Sequence, residues 1–236
     1  MTDADVDARI TVIPAAATPS RASLNRDERL VKDKILRMGS LVESQIREAV
    51  RAVAERSVET AHAVIAGDAR INEVQREIGD TVVSTIATQS PVARDLRFLI
   101  GLDRVAFELE RIGDHASSIA KQALRLSEEP LLRETRELVE MGRVAADQVR
   151  GIVTALIDTD DALAREVAAK DDDIDHLYRK TFADIIELMR TDPRTIERGT
   201  RLILAAHWVE RIGDRVTNIA EDVVYLATGR IEDLNP

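Results

Sequence analysis

One five-residue motif, Glu-Arg-Ile-Gly-Asp, occurs twice in the sequence and carries the side chains best suited to chemistry. The first copy runs from Glu110 to Asp114 and the second from Glu210 to Asp214. In an α-helix, the two carboxylates of each copy lie one turn apart on the same flank. Like charges at this spacing repel by a few tenths of a kcal/mol. Each pair therefore predicts a compensating partner, either a cation or a basic side chain.

Further oxygen-bearing side chains follow similar helical spacings and could complete two metal sites. One pair comes from an earlier helix in each half, and another pair extends the second motif by one to two turns. Clustered oxygen ligands suit hard or borderline cations such as Mg²⁺, Ca²⁺, Mn²⁺ or iron. The added residues are Asp68 with Asn72, Asp171 with Asp175, and Asn218 with Glu221.

Ion pairing is the alternative interpretation of these carboxylates. Arg97, Arg111 and Arg211 are near in sequence, and acidic side chains on a helix flank usually pair with bases or stay solvated. Repetition of the pattern favours metal, but duplicated packing would also preserve Gly113 and Gly213. A glycine inside a helix costs about 1 kcal/mol relative to alanine. We therefore expect a close helix–helix approach at both glycines.

Other catalytic signatures are missing from the sequence. The four histidines show no metal-binding spacing, although His115 and His176 could join the carboxylates. There is no Glu-x-x-His signature of di-iron bundles, no phosphate-binding glycine loop and no nucleophile elbow. Trp208 and Phe107, which adjoin the motifs, are predicted to be packing anchors. No candidate base accompanies the motifs, so we do not expect an enzyme.

Composition and charge limit the class of protein that positions these residues. The chain has 236 residues, 3% aromatic residues, a formal net charge of -10 and no cysteine. Few aromatic residues favour helices over sheets. The acidic balance argues against nucleic-acid binding, and the lack of cysteine excludes disulfides and thiolate metal sites. Without a long apolar run or an apolar signal core, we expect a cytoplasmic protein.

Apolar residues recur at three- and four-residue spacings through most of the chain, which predicts long helices. Ser57 marks a break, and Ser90-Pro91 and Asp192-Pro193 each predict a capped helix start. We also expect a local loosening at Gly67. The six predicted helices cover residues 25–55, 59–87, 91–126, 131–157, 162–190 and 193–228.

The second half of the sequence repeats the first. At an offset of 103, Met38-Gly39 aligns with Met141-Gly142, and at an offset of 100 the two motif copies align. Because three helices with short connections pack up, down and up, the predicted fold class is all-α, with two tandem antiparallel three-helix bundles. The predicted division is a disordered segment 1–22, a first bundle 23–127, a second bundle 128–229 and a C-terminal tail 230–236.

Three stretches resemble motifs of the PhoU family: IATQSPVARDLR at 86–97, LERIGDHA at 109–116 and VERIGDRVTNIAE at 209–221. The resemblance covers about residues 25–228. It implies a cytoplasmic, non-enzymatic regulator of phosphate uptake that restrains the phosphate-starvation response when phosphate is sufficient. The implied partners are the ATPase subunit of the phosphate ABC transporter, a phosphate-sensor histidine kinase and a second copy of the chain. Contact with the membrane would come only through these partners.

The resemblance also implies that metal ions, with iron, manganese, zinc or magnesium as candidates, bind at the Glu/Asp-x-x-x-Asp motifs. Two positions depart from the family pattern, since Ser118 stands where asparagine is common and Lys121 where an acid is common. The second copy keeps Asn218 and Glu221. We therefore expect a weaker or emptier first site.

Two other functions remain open at this stage. One is a carboxylate-bridged, metal-dependent hydrolase or oxidase, which would need an open coordination position and a base. The other is a metal-free helical adaptor for another transporter, in which the acidic residues form ion pairs.

Overall fold

The computed structural model describes residues 21–133 and 135–235, which form seven α-helices and one short 3-10 helix. These described residues include no strand, so the predicted all-α class is confirmed. Most of the predicted disordered segment lies outside the described residues, but its last two positions belong to the first helix. The helices are α1 Arg21–Glu55, α2 Val58–Gln89, α3 Ala93–Ser127, α4 Arg136–Asp158, α5 Asp161–Ala168, α6 Asp171–Thr191 and α7 Ile196–Thr228, with the 3-10 helix at Pro193–Thr195.

The helices pack as two groups that share one core. Helices α1, α2 and α3 contact one another, as do α4, α6 and α7, with α5 beside α4 and α7. Between the groups, α1 packs on α4 and α3 packs on α7. The apolar faces expected from the spacing are buried, since Ile35, Met38, Leu109 and Ile212 are fully excluded from solvent. Burying one such side chain contributes about 1.5–3 kcal/mol.

The predicted fifth helix is two helices, because the chain breaks at Ala169 and Lys170. The Lys170 amide bonds to the carbonyl of Val167, which tightens the turn, and a new helix begins at Asp171. Three consecutive aspartates then occupy the first turn of α6, where a helix favours negative charge. The loosening expected at Gly67 does not occur, since α2 is continuous there.

Two of the three predicted helix boundaries, at Ser57 and Asp192, are confirmed as capped helix starts. Ser57 caps α2 by accepting a hydrogen bond from the Thr60 amide at 3.2 Å. Asp192 caps the 3-10 turn that leads into α7. The prediction for Ser90 is wrong, because this residue ends α2 in a left-handed conformation with φ 48° and α3 begins at Ala93. Helix α4 also begins later than predicted, at Arg136.

Two glycines set the contact between α1 and α4. A Cβ on Gly39 would lie 2.8 Å from a methyl group of Val153, and a Cβ on Gly142 would lie 2.6 Å from a methyl group of Val50. Such distances are shorter than real carbon contacts, so only glycine permits the two helices to approach this closely. No helix among the described residues is long and apolar enough to cross a membrane.

Candidate metal centres

The first carboxylate cluster lies where α2 packs on α3, and it brings together Asp68, Glu110 and Asp114. Asp68 accepts a hydrogen bond through Oδ2 from Asn72 Nδ2 at 3.2 Å, while its Oδ1 is buried without a hydrogen-bond partner. A Cβ on Gly113 would lie 3.6 Å from Asp68 Oδ1 and 2.9 Å from the end of an isoleucine side chain. The close approach expected at this glycine is confirmed.

The carboxylates of the first cluster repel one another. Burial raises the pKa of Asp68, and the negative charge of Asp114 raises it further. Burial also raises the pKa of Glu110, again followed by the charge of Asp114. Lys121 opposes the effect on Asp68, so this cluster already has a nearby cation of its own.

The second carboxylate cluster lies where α6 packs on α7, and its most buried member is Asp171. This side chain belongs to a residue only 7% exposed, and its Oδ1 makes no hydrogen bond. A Cβ on Gly213 would overlap that same oxygen. The missing side chain at Gly213 thus provides the space that the carboxylate fills, which is the counterpart of the contact at Gly113.

Repulsion is stronger in the second cluster. Burial raises the pKa of Asp171 to about 7, and the charges of Asp214 and Asp175 are the next causes. Burial raises the pKa of Glu210 to about 7 as well, with the same two charges next in importance. Four carboxylates from two helices therefore interact here, and the ionised forms of Asp171 and Glu210 are disfavoured in the absence of a cation.

Basic side chains compensate only part of this charge. Arg211 forms an ion pair with Asp214, with 3.1 Å between Nη1 and Oδ2. His207 Nδ1 lies 3.2 Å from Glu210 Oε2. In the first cluster, Arg111 Nε is 4.0 Å from Glu110 Oε2, and Arg97 stacks over the ring of Tyr225 instead. Ion pairing thus accounts for Asp214 but not for the buried oxygen of Asp171.

Whether these residues fit a metal ion is decided by two observations. Within residues 21–133 and 135–235, no three His, Asp or Glu side chains converge on one point that could hold an ion. Yet Asp171 presents a buried, unpartnered oxygen among mutually repelling carboxylates. The donors are therefore of the right chemistry and on neighbouring helices, but in this arrangement they do not converge on one point. On the chemistry of its donor set, the second cluster fits a cation.

The remaining predicted ligands lie at the edge of the second cluster. Asn218 is exposed, and Glu221 accepts a hydrogen bond from the backbone amide of Leu234 at 3.0 Å. Both line a cleft of about 570 Å³ beside Asp214. The other wall of this cleft is the segment after α7. Sequence reasoning missed Asn235, which donates a hydrogen bond from Nδ2 to Asp171 Oδ2 at 3.3 Å. No helical spacing signals it, because it follows the last helix.

Histidine and aromatic side chains link the two motifs. The His115 and Trp208 rings stack with centroids 5.1 Å apart, and burial lowers the pKa of His115 to about 4. His176 is exposed. Trp208 packs against the core as predicted, but the expectation for Phe107 is wrong, since it is 53% exposed.

A scan of known families matches the PhoU domain to residues 35–123 and again to 138–223. A phosphate-specific transport system accessory protein PhoU homolog from Clostridium acetobutylicum is 34% identical over 92% of this chain and 99% of its own length. The homolog from Caulobacter vibrioides strain NA1000 is 36% identical over 83% of this chain and 86% of its own length.

Two solved structures share the fold. The crystal structure of PhoU from Pseudomonas aeruginosa has a TM-score of 0.84 and 36% identity, covering 88% of this chain and 100% of that chain. The phosphate transport system regulatory protein PhoU from Streptococcus pneumoniae has a TM-score of 0.83 and 31% identity, covering 89% of this chain and 99% of that chain.

Proposed function

This chain belongs to the PhoU family, and on that premise we propose that it regulates phosphate uptake as an accessory protein of a phosphate transport system. The observation that carries the proposal is the coverage of the similarity. The chain matches a curated accessory protein over 99% of that protein's length, and both halves match the family domain. No large part of the relative is left without a counterpart here.

The proposed mode of action is binding rather than catalysis. The partners are the ATPase subunit of a phosphate ABC transporter and a phosphate-sensor histidine kinase, which the protein keeps inactive when phosphate is sufficient. It acts in the cytoplasm as a homodimer. Its long helices offer exposed apolar side chains for such contacts, including Phe107, Phe182 and Ile186, which are 40–53% exposed.

The proposal includes metal ions at the two carboxylate clusters. Glu110, Asp114 and Asp68 would hold an ion between α2 and α3. A bound divalent cation would neutralise the carboxylates and tie neighbouring helices together. In the second cluster, the ligands would come from Asp171, Asp175, Glu210 and Asp214, with Asn218 and Glu221 at its edge.

The second cluster is the stronger proposed site. Asp171 is more buried than Asp68, and it has a larger rise in pKa. In the first half, the Ser118 hydroxyl donates to the backbone oxygen of Asp114 at 3.0 Å, and this residue supplies one oxygen where the second half has the amide of Asn218. Lys121 also reduces the need for a cation there.

A pull-down from native membranes at high and low phosphate tests the partners. We expect recovery of the transporter ATPase subunit and the sensor kinase, with more of the kinase at high phosphate. Recovery of neither partner at either phosphate level would contradict the proposed role.

Metal analysis of the purified chain tests the sites. Glu210→Ala/Asp214→Ala should lose more metal than Glu110→Ala/Asp114→Ala, while Glu187→Ala, which removes an exposed acid of α6, should lose none. Equal losses in the two double variants would overturn the ranking. A metal-free unsubstituted chain with intact partner binding would favour a metal-free adaptor.

A further inference from the structure

The segment after α7 folds back over the second carboxylate cluster. It leaves the helix at Gly229, whose φ of 74° turns the chain. Glu232 then forms a two-pronged ion pair with Arg165 of α5, with nitrogen–oxygen distances of 3.0–3.2 Å. Leu234 packs against the core and Asn235 reaches Asp171. Residues 229–235 are therefore fixed at three points around the cluster.

In both halves an asparagine amide holds one oxygen of the cluster's aspartate, but the asparagine comes from a different place. In the first half, Asn72 donates to Asp68 Oδ2 from one turn along the same helix. In the second half, position 175 is an aspartate, and the amide comes instead from Asn235. In each case Oδ1 is left buried without a hydrogen bond. The same arrangement has thus been built twice, once within a helix and once by the returning segment.

An amide on one carboxylate oxygen fixes the direction of the other. Hydrogen bonds to groups behind metal ligands orient those ligands, and their loss typically costs about 10–100-fold in metal affinity. With Oδ2 held by Asn235, the free Oδ1 of Asp171 points into the cluster beside Gly213. The Leu234 amide likewise holds one oxygen of Glu221 at the rim of the cleft.

We propose that residues 229–235 form a latch over the second carboxylate cluster and that Asn235 is a positioning residue for a divalent cation held there by Asp171. The inference rests on the proposed metal binding. The latch covers one side of the cluster, so it slows entry and release of the ion as well as orienting its ligand. The first cluster has no such cover among the described residues, so we expect an ion held there to be released to a chelator faster than one in the second cluster.

Mn²⁺ binding to chains with one intact cluster tests the latch. In the Glu110→Ala/Asp114→Ala background, only the second cluster remains, and Asn235→Ala should raise the Mn²⁺ Kd about 10–100-fold and speed release to a chelator. Val83→Ala is the control, because this apolar residue is 68% exposed on α2 and lies outside the segment. It should leave both quantities unchanged. A change below about threefold for Asn235→Ala would overturn the proposal.

The reciprocal experiment measures Mn²⁺ binding to a chain in which only the first cluster is intact. In the Glu210→Ala/Asp214→Ala background, Asn72→Ala should weaken Mn²⁺ binding, whereas Asn235→Ala should have no effect. An equal effect of Asn235→Ala in both backgrounds would show a general loss of structure and would refute the latch.

Hydrogen exchange of the Leu234 amide provides a readout that needs no metal. We expect protection in the metal-free chain and its loss in Asn235→Ala, since that amide is bonded to Glu221 only while the segment is seated. An unprotected amide would overturn the latch. If the unsubstituted chain binds no Mn²⁺, the proposed metal fails and the positioning role fails with it. Normal Mn²⁺ binding that Asn235→Ala leaves unchanged would remove the latch alone.

Discussion

Replacing Asp171 with asparagine should stabilise the metal-free protein at alkaline pH. A pKa moved from 3.8 to about 7 makes the ionised carboxylate about 4 kcal/mol less favourable in the folded chain than in the unfolded chain. Asparagine has nearly the same shape, keeps an oxygen that can accept from Asn235, and carries no charge to repel Asp214. The substitution therefore removes the cost of burying a charge while retaining the packing.

The gain should depend on pH in a defined direction. Because the pKa of Asp171 is raised in the folded state, its contribution to stability is largest below about pH 4 and falls as the pH rises to about 7. Between pH 5 and pH 8, the contribution of Asp171 to the free energy of unfolding falls by about 3 kcal/mol. The asparagine side chain does not titrate, so the advantage of Asp171→Asn over the unsubstituted chain should be about 2–3 kcal/mol larger at pH 8 than at pH 5.

Urea unfolding of chelator-treated protein, followed by far-UV circular dichroism at both pH values, measures this difference. Asp172→Asn is the control, since Asp172 lies in the same first turn of α6 but is exposed. Losing the acid from that turn should cost the Asp172→Asn control about 0.3–1 kcal/mol through the helix dipole. A gain for Asp171→Asn that is equal at pH 5 and pH 8, or that matches the control, would refute the argument from buried charge.

Three further predictions concern packing, protonation and metal. Gly213→Ala should lower the free energy of unfolding by about 1–2 kcal/mol, because the added methyl group displaces Asp171. Gly113→Ala should change the free energy of unfolding by no more than about 1 kcal/mol, and urea unfolding compares the two variants. Trp208 fluorescence should fall with a midpoint near pH 4 as His115 becomes protonated, and this transition should be absent in His115→Gln. A midpoint near pH 6.5, or the same transition in His115→Gln, would contradict this assignment. Mn²⁺ at about 100 times its Kd should raise the free energy of unfolding by about 2.7 kcal/mol, seen as a Tm increase that a chelator reverses.

The sequence pattern predicted the helical class and the glycine contacts because both depend on local spacing. Every third or fourth apolar residue must turn toward a core, and a glycine inside a helix must be compensated by a close neighbour. The motif carboxylates therefore lie beside Gly113 and Gly213 as expected. Their partners on α2 and α6 were also identified, since Asp68 and Asp171 occupy equivalent positions in the repeat.

The features that the pattern could not predict depend on contacts distant in sequence. Ala169 and Lys170 are good helix formers, so nothing local announces the break before Asp171. The break coincides with a contact distant in sequence, since Asp171 lies against Gly213 and begins a helix whose first turn holds three acids. Asn235 was missed for a similar reason, because a residue beyond the last helix acquires its partner only when the chain folds back.

The glycine contacts between α1 and α4 have a consequence for how the two halves came to differ. Gly39 meets Val153 and Gly142 meets Val50, and in both pairs the partners exchange under the same shift of 103 residues. Reciprocal contacts of this kind define an isologous interface, the geometry of a two-fold homodimer. In this chain the two halves are covalently connected, which keeps them at a high effective concentration and does not require their sequences to be identical. The second half could then use the amide of Asn235, which lies outside its helices, while the first half uses the amide of Asn72 within α2.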